Sequence, residues 1–221
     1  MKSNRRRARW QASGVLFLLA TMAFPLRAQN IEVPDSVRHR DNCRLAGQVL
    51  QTGHPQPKYK WARDYIILCQ VEGPAILAAE WEVVSADTTR VNRLQRESAR
   101  FRDVRLYQEL RETALDRSRP ELVRTGAMLV LMKYVDPHSA LWFSDLRPPP
   151  GEIHRIPLVG SSSTAGVWDY GSEPLGPVAQ QVLQLLEGIA AQRETESREV
   201  WYAAAVLARR VRWDIEAGRA R

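Results

Sequence analysis

Apolar side chains recur at intervals of three and four residues along most of the chain, which is the spacing of amphipathic α-helices. This pattern predicts helices over residues 36–51 and 57–70, a third helix that begins near Pro74, and a fourth that is capped by Asp87 or Thr88. Strict alternation of apolar and polar residues, the mark of a half-buried β-strand, is rare. The sequence therefore predicts an all-α fold.

The third helix is predicted to hold Pro74 in its first turn, where the missing N–H of proline costs no helical hydrogen bond. Its apolar residues then define the side that we expect to be buried against the rest of the domain. These residues are Ile76, Leu77, Ala79 and Val83.

The helical pattern continues into the second half of the chain. It predicts one helix before a turn at Pro120 and another over 121–135 after it. Residues 127–132 are apolar on every side, so we expect this to be an inner helix that its neighbours cover. An apolar stripe over 178–189 and a Ser197 N-cap predict two further helices.

The helical pattern stops between residues 145 and 177. Three prolines and a glycine at 148–151 open this break, and Gly176–Pro177 close it. A loop of this length is uncommon in a small domain and is usually functional or disordered. Its apolar and aromatic residues argue against complete disorder. The sequence therefore predicts one long Pro/Gly/Ser-rich loop over 146–176.

Three stretches of the chain share one organisation, in which an amphipathic helix, a short turn and a more apolar helix follow each other. The second helices of these three hairpins contain residues 61–69, 123–132 and 200–210. They begin about 60 and then about 80 residues apart, against about 40 residues in regular HEAT or armadillo repeats. Any repeat is therefore irregular.

The segment from Arg119 to Arg124, running into Ala127 and Leu131, resembles the inner helix of a HEAT-like (armadillo-type) repeat. In that family a turn precedes Val-Arg and then small and apolar residues. The resemblance implies an irregular right-handed stack of antiparallel helical hairpins, a HEAT-like α-solenoid. Such stacks bury a shared core and offer an extended face to partners. The resemblance implies a binding or scaffolding role and no catalytic residues.

The N-terminal 28 residues have the organisation of an export signal. Residues 1–13 are basic, residues 14–26 are apolar, and Ala28 is a suitable residue before a cleavage point. The apolar run is too short to span a bilayer, which needs about 20 residues. We expect residues 1–28 to be a secretory signal peptide and 29–221 a single exported domain, periplasmic or secreted. A buried core helix and an uncleaved anchor are the alternatives.

The export signal also accounts for most of the basic charge. The whole chain carries a formal charge of +7, but residues 1–28 hold six basic residues and no acid, which leaves +1. We therefore expect no nucleic-acid partner. One basic stretch remains, and it is either a solvated helix face or a site for an anionic partner. Its arginines are Arg90, Arg93, Arg96, Arg100 and Arg102.

Cys43 and Cys69 are the two cysteines of the chain, and their midpoint lies in the turn between the first two predicted helices. Residues equidistant from the turn of a helical hairpin face each other, and an oxidising compartment favours disulfides. We expect these cysteines to form a disulfide. Two buried free thiols, which pack as small apolar side chains, are the alternative.

The search for catalytic chemistry yields little. The chain contains no zinc-protease, phosphate-loop or serine-hydrolase motif, and its four histidines are not spaced as metal ligands. Asp136, His138 and Ser139 lie in one turn, where helix capping explains them. We therefore expect no catalytic residue, no cofactor and no metal site. A hydrolase in which His154 joins Asp136 and His138 under the 146–176 loop is the alternative.

Trp168 and Tyr170 are the aromatic residues of the long loop. Aromatic side chains on a loop that a rigid scaffold holds suit partner recognition, although they also suit plugging the side of a helical core. We expect an exported, non-enzymatic helical-repeat protein that binds an unidentified envelope protein partly through residues 146–176. It should have no stable membrane span once the signal is cleaved. Binding of an anionic ligand through Arg90–Arg102 is a further alternative.

Overall fold

A computed structural model describes residues 35–52, 57–136, 141, 143–151, 156 and 176–217. Within these ranges the chain forms eight α-helices and one turn of 3₁₀-helix, with no β-strand, which confirms the predicted all-α fold. The helices are α1 Asp35–Thr52, α2 Lys58–Ile66, α3 Glu72–Val83, α4 Thr88–Ser98, α5 Val104–Leu115, α6 Glu121–Val135, α7 Gly176–Ala190 and α8 Arg198–Glu216, and the 3₁₀ turn is Phe143–Leu146. All of these residues belong to one compact unit.

Side-chain caps fix the starts of three helices. The Asp87 carboxylate accepts from the Arg90 N–H at 2.9 Å, and the Ser197 hydroxyl accepts from the Val200 N–H at 3.4 Å. These two caps were predicted from the sequence. Asp103 caps α5 in the same way. Each cap satisfies a backbone N–H that has no partner inside its own helix.

Helix α6 lies at the centre of the fold. It packs against α4, α5, α7 and α8, and nearly all of its side chains are buried. This confirms the predicted inner helix. Gly126 allows α4 to approach closely, since a Cβ at this position would lie 2.7 Å from Val91 Cγ1. The Gln95 side chain spans the same contact and donates to the Gly126 carbonyl at 3.2 Å.

The predicted buried side of α3 is wrong in part. Leu77 is buried, but Ala79 is exposed and 67 % of Val83 is accessible. Glu80 and Trp81 point inward instead, and the Trp81 indole N–H donates to the Ser98 hydroxyl at 2.9 Å. The larger buried area of tryptophan and its hydrogen bond to α4 decide which side faces the core.

The α1–α2 hairpin has its own small core. Cys43 and Cys69 form a disulfide, as predicted, and both are fully buried. Helix α2 ends at Ile66 rather than near residue 70, because its last turn tightens into bonds from Leu68 N–H to Tyr65 and from Cys69 N–H to Ile66. The buried members of this core are Cys43, Ala46, Val49, Ala62, Ile66 and Cys69.

The three predicted hairpins correspond to the helix pairs α1–α2, α5–α6 and α7–α8, which make the most extensive contacts between helices. Helix α3 connects the first pair to the main core, because it packs against both α1 and α5. Apolar side chains from α3, α4, α5, α6, α7 and α8 together form that main core. Helix α8 packs against both the central helix α6 and its hairpin partner α7.

Candidate functional site

The described parts of the predicted 146–176 loop are bonded to α8. Arg198 donates to the Pro149 carbonyl at 2.6 Å and also to the Gly151 carbonyl. Arg209, three turns further along α8, donates to the Ile156 carbonyl. Each guanidinium binds main-chain oxygen, so α8 positions the loop backbone independently of the loop side chains.

A groove of about 650 Å³ lies between α7 and α8, beside Ile156, and we call it the α7–α8 groove. Its floor is formed by Trp201 and by short side chains, which leave room for the backbone of an occupant. The short side chains are Ala190, Ala191, Ala205 and Ala208. Such a surface suits an apolar side chain of a partner segment.

The rim of the α7–α8 groove is positively charged. Arg193 lies over the Trp201 ring, 4.8 Å from its centroid, and Arg209 and Arg212 also line the groove. One acid, Glu187, also lines the groove and pairs with Arg212. Three guanidinium groups against one carboxylate favour an occupant that carries negative charge.

Sequence reasoning missed the α7–α8 groove. Trp201 belongs to the apolar stretch 200–210 of the third predicted hairpin, and the residue is buried, but its ring also forms the groove floor. The available signal was the group of arginines on the same helix, at Arg198, Arg209 and Arg212. The predicted partner residues Trp168 and Tyr170 lie outside the described residues.

The predicted arginine face of α4 is largely engaged within the molecule. Arg90 pairs with Glu80 at 3.7 Å, and the Arg93 guanidinium lies 3.9 Å from the centroid of the Tyr59 ring. Arg96 is exposed, and its Nε donates to a backbone carbonyl of α4 at 3.3 Å. The stretch is therefore not a uniform cationic surface. Arg90 and Arg93 line a small pocket beside Glu80, whereas Arg96 lines a different pocket beside α6.

That pocket, of about 180 Å³, lies between α4 and α6 and is called the α4–α6 pocket. Its charged groups are Arg96 and Lys133. The pKa of the Lys133 ammonium is lowered, because desolvation by burial outweighs the opposing effect of the nearby Asp136 carboxylate. The remaining lining combines two amides with three aliphatic side chains, which suits a small ligand with a polar end and an apolar body. These residues are Asn92, Gln95, Leu129, Val130 and Leu141.

Asp136, a candidate for the alternative hydrolase site, is part of a buried ion-pair network. Arg210 donates to the Asp136 carboxylate at 2.8 Å and to the Asp214 carboxylate at 2.9 Å. This network joins the C-terminal end of α6 to α8. His138, Ser139 and His154, the other candidates for that site, lie outside the described residues.

No helix in the described ranges combines the length and the hydropathy needed to cross a membrane. The chain matches no family model, no curated protein and no solved structure. Its function must therefore be argued from the geometry of its own residues.

Proposed function

We propose that this protein is an exported, non-enzymatic helical scaffold that binds another protein of the cell envelope. The observation that carries the proposal is the double role of α8. This helix bonds the backbone of the 146–176 loop through Arg198 and Arg209, and it forms the floor of the adjacent α7–α8 groove through Trp201. Loops that a rigid element positions next to an apolar groove are typical of recognition surfaces.

The chemistry of the α7–α8 groove defines its occupant as an acidic segment that carries an apolar side chain. The alanines and Trp201 bury the apolar side chain, while Arg193 and its neighbours on the rim attract the acids. Charge complementarity of this kind steers association and weakens as salt screens it. The proposed partner therefore differs from a nucleic acid, which would need a broader cationic surface.

Selection from a displayed library of short random peptides tests the occupant directly. Wild-type protein should enrich peptides that combine Asp or Glu with a large apolar residue. The Ala191→Trp variant, which fills the groove from an exposed position, should lose them, whereas Ala79→Trp on α3 should retain them. Equal binding of the enriched peptides by the Ala191→Trp variant would contradict the proposal. Competition by a peptide spanning residues 157–175 would instead identify this chain itself as the occupant.

The charge requirement has its own matched test. Arg193→Glu reverses a rim charge, and Arg38→Glu reverses an exposed charge on α1, away from the groove. We expect the first variant to weaken binding of the selected peptides about tenfold and the second to leave it unchanged. Similar effects from both variants would mean that net charge, rather than the groove, attracts the peptides.

The loop contribution is tested by replacing both Trp168 and Tyr170 with alanine. Partner capture should weaken while far-UV circular dichroism stays the same, because loop side chains contribute little to helicity. Unchanged capture would count against the loop and leave the groove as the binding surface.

Export is tested by the intact mass of the unreduced protein from the extracytoplasmic fraction of its host. We expect a chain that begins near Gln29 and is two hydrogens lighter than the reduced form. A full-length chain in the cytoplasm would restore the basic N-terminus to the working molecule and contradict the proposed location.

We further propose that the three helix pairs form an irregular right-handed, HEAT-like stack. Support comes from the extensive packing within the pairs α1–α2, α5–α6 and α7–α8. An experimental structure of the full chain would test the order and the hand of the stack.

A second candidate function rests on the α4–α6 pocket, where Arg96 and Lys133 flank an aliphatic surface. This lining suits a small carboxylate with an apolar body, and hexanoate is a suitable probe. Calorimetry should detect binding that weakens with salt and that Arg96→Gln reduces about tenfold, with Arg38→Gln as the matched control. Salt-insensitive binding, or equal binding by Arg96→Gln, would exclude this function.

A further inference from the structure

Three possible metal ligands meet at the open end of the α1–α2 hairpin. His39 lies one helical turn before Cys43 on α1, and Cys69 follows α2. Their ligand atoms all lie within 4.8 Å of one another, and His39 Nε2 is 3.6 Å from Cys43 Sγ. We call these residues the sulfur–histidine cluster. The helical pairing creates it, since His39 and Cys69 are distant in sequence.

The His39 ring is held in the orientation that a metal ligand requires. Tyr65 Oη lies 3.0 Å from His39 Nδ1, and Asn42 Nδ2 donates to the same hydroxyl oxygen at 3.4 Å. The Tyr65 hydroxyl thus occupies the Nδ1 side of the ring, and Nε2 faces the sulfur atoms. A hydrogen bond to the second ring nitrogen is the usual way in which proteins orient a metal-binding histidine.

We propose that the reduced form of the sulfur–histidine cluster binds one thiophilic divalent cation, with Zn²⁺ as the type case. His39 Nε2 and the two cysteine thiolates supply three ligands, and water supplies the fourth. One nitrogen and two sulfur donors form a set that suits tetrahedral zinc. Two zinc–sulfur bonds of about 2.3 Å place the sulfurs about 3.8 Å apart, which side-chain rotation provides with Cα atoms separated by 5.7 Å.

The disulfide and the metal-bound form exclude each other. A dithiol reductant breaks the Cys43–Cys69 bond by supplying two electrons and two protons, and is itself oxidised to a disulfide. Metal binding then releases the two thiol protons, because only thiolates act as strong zinc ligands. Reoxidation by the disulfide form of that reductant transfers the two electrons back to it, with two protons from solvent restoring its dithiol, while the Cys43–Cys69 bond re-forms and the divalent cation is released. The cluster thereby couples metal occupancy to the redox state of its surroundings.

Metal titration of the full chain without an affinity tag tests this inference. The protein is reduced with a phosphine under anaerobic conditions and titrated with Zn²⁺ against a chromophoric chelator. We expect one Zn²⁺ per reduced chain and none per disulfide-bonded chain. Substitution with Co²⁺ should give the absorption bands of a tetrahedral, thiolate-ligated ion. This spectrum reports the ligands even if reduction loosens the hairpin.

Variants separate this cluster from adventitious binding. His39→Ala keeps both cysteines and should weaken Zn²⁺ binding at least tenfold, and Tyr65→Phe should weaken it about tenfold through loss of ring orientation. His154→Ala is the matched control and should bind as wild type does. The proposal is overturned if the reduced chain binds no Zn²⁺, if His39→Ala binds as tightly as wild type, or if the disulfide form binds equally well.

Discussion

Arg124 on α6 and Glu196 before α8 form a buried, two-pronged ion pair. Nη1 and Nη2 of the arginine donate to the two carboxylate oxygens at 2.8 and 2.6 Å. The two side chains are only 4 % and 5 % exposed. Arg124 Nε also donates to the Ala114 carbonyl at 3.1 Å. One guanidinium thus connects the end of α5, the start of α6 and the segment that leads into α8.

Removing the charge of Glu196 should strongly destabilise the fold. Glu196→Gln leaves the Arg124 guanidinium buried without its counter-ion, which typically costs about 3–5 kcal/mol of unfolding free energy. The exposed Glu194→Gln, two residues earlier, is the control and should change stability by less than about 0.5 kcal/mol. Urea unfolding measures both values. A loss no larger than that of the control would show that the pair contributes little.

Acid should remove the same stabilisation. Hydrogen bonds from Arg124 lower the pKa of Glu196 below its usual 4.5. A group whose pKa is lowered in the folded state stabilises the fold at a pH above its unfolded pKa. This contribution is lost as the pH falls through the folded pKa. The difference in unfolding free energy between wild type and Glu196→Gln should therefore shrink steadily below pH 4.5. A difference that stays constant down to acid pH would contradict this assignment.

Glu97 should show the opposite pH dependence. Its side chain is 2 % exposed, and burial raises its pKa to about 7 despite Arg100 at 3.2 Å. A group whose pKa is raised in the folded state stabilises the fold fully at a pH below its unfolded pKa of 4.5. This contribution to the unfolding free energy is lost as the pH rises through about 7.

The matching experiment compares wild type with Glu97→Gln at pH 4.5 and pH 8. Relative to the variant, the unfolding free energy of wild type should fall by about 3 kcal/mol as the pH rises from 4.5 to 8, because one pKa unit corresponds to about 1.4 kcal/mol. Glu121→Gln, at an exposed position on α6, should show no such shift. A shift of the opposite sign would mean that Arg100 dominates over burial.

Two glycine substitutions should have opposite effects on stability. A Cβ at Gly126 would lie 2.7 Å from Val91 Cγ1 and 3.3 Å from Trp81, so Gly126→Ala should destabilise the α4–α6 contact by about 1–3 kcal/mol. Gly188 on α7 has no neighbouring atom within 4 Å, so Gly188→Ala should stabilise by up to about 1 kcal/mol. Thermal unfolding measures both changes in stability. Two changes of the same sign would contradict the packing described.

Loss of the disulfide should destabilise the α1–α2 hairpin. The bond joins residues 26 positions apart, and closing a loop of this size contributes about 3.5 kcal/mol in the chain-entropy model. The Cys43→Ala and Cys69→Ala double variant should lose about that much unfolding free energy, and reduction of wild type in a metal-free buffer should lose a similar amount. A loss below about 1 kcal/mol would show that packing alone holds the hairpin.

The sequence allowed prediction of features that depend on neighbouring residues. The Asp87 and Ser197 caps act within one helical turn, and the fully apolar stretch of α6 specifies burial whatever surrounds it. The cysteine pairing was also accessible, because a short turn places Cys43 opposite Cys69. In each case the pattern within one helix, or the single short turn between two helices, is enough to specify the feature.

The features that the sequence did not predict depend on how separate helices pack against each other. The predicted buried side of α3 was wrong in part because the Trp81 indole is buried and donates a hydrogen bond to Ser98 on α4, which leaves Val83 exposed. The α7–α8 groove was missed because a buried tryptophan and a groove-lining tryptophan have the same helical position. No local pattern distinguishes the two roles of Trp201.

The sequence by itself determined the helical class, the capped starts of α4 and α8 and the central position of α6, because helix periodicity and capping are local properties of the chain. Tertiary structure alone decided which charges are neutralised and which surfaces stay open. Arg93 lies on Tyr59, and Arg124 binds Glu196 across 72 residues. Such pairings depend on how the helices cross in space, which the spacing of residues along one helix does not specify.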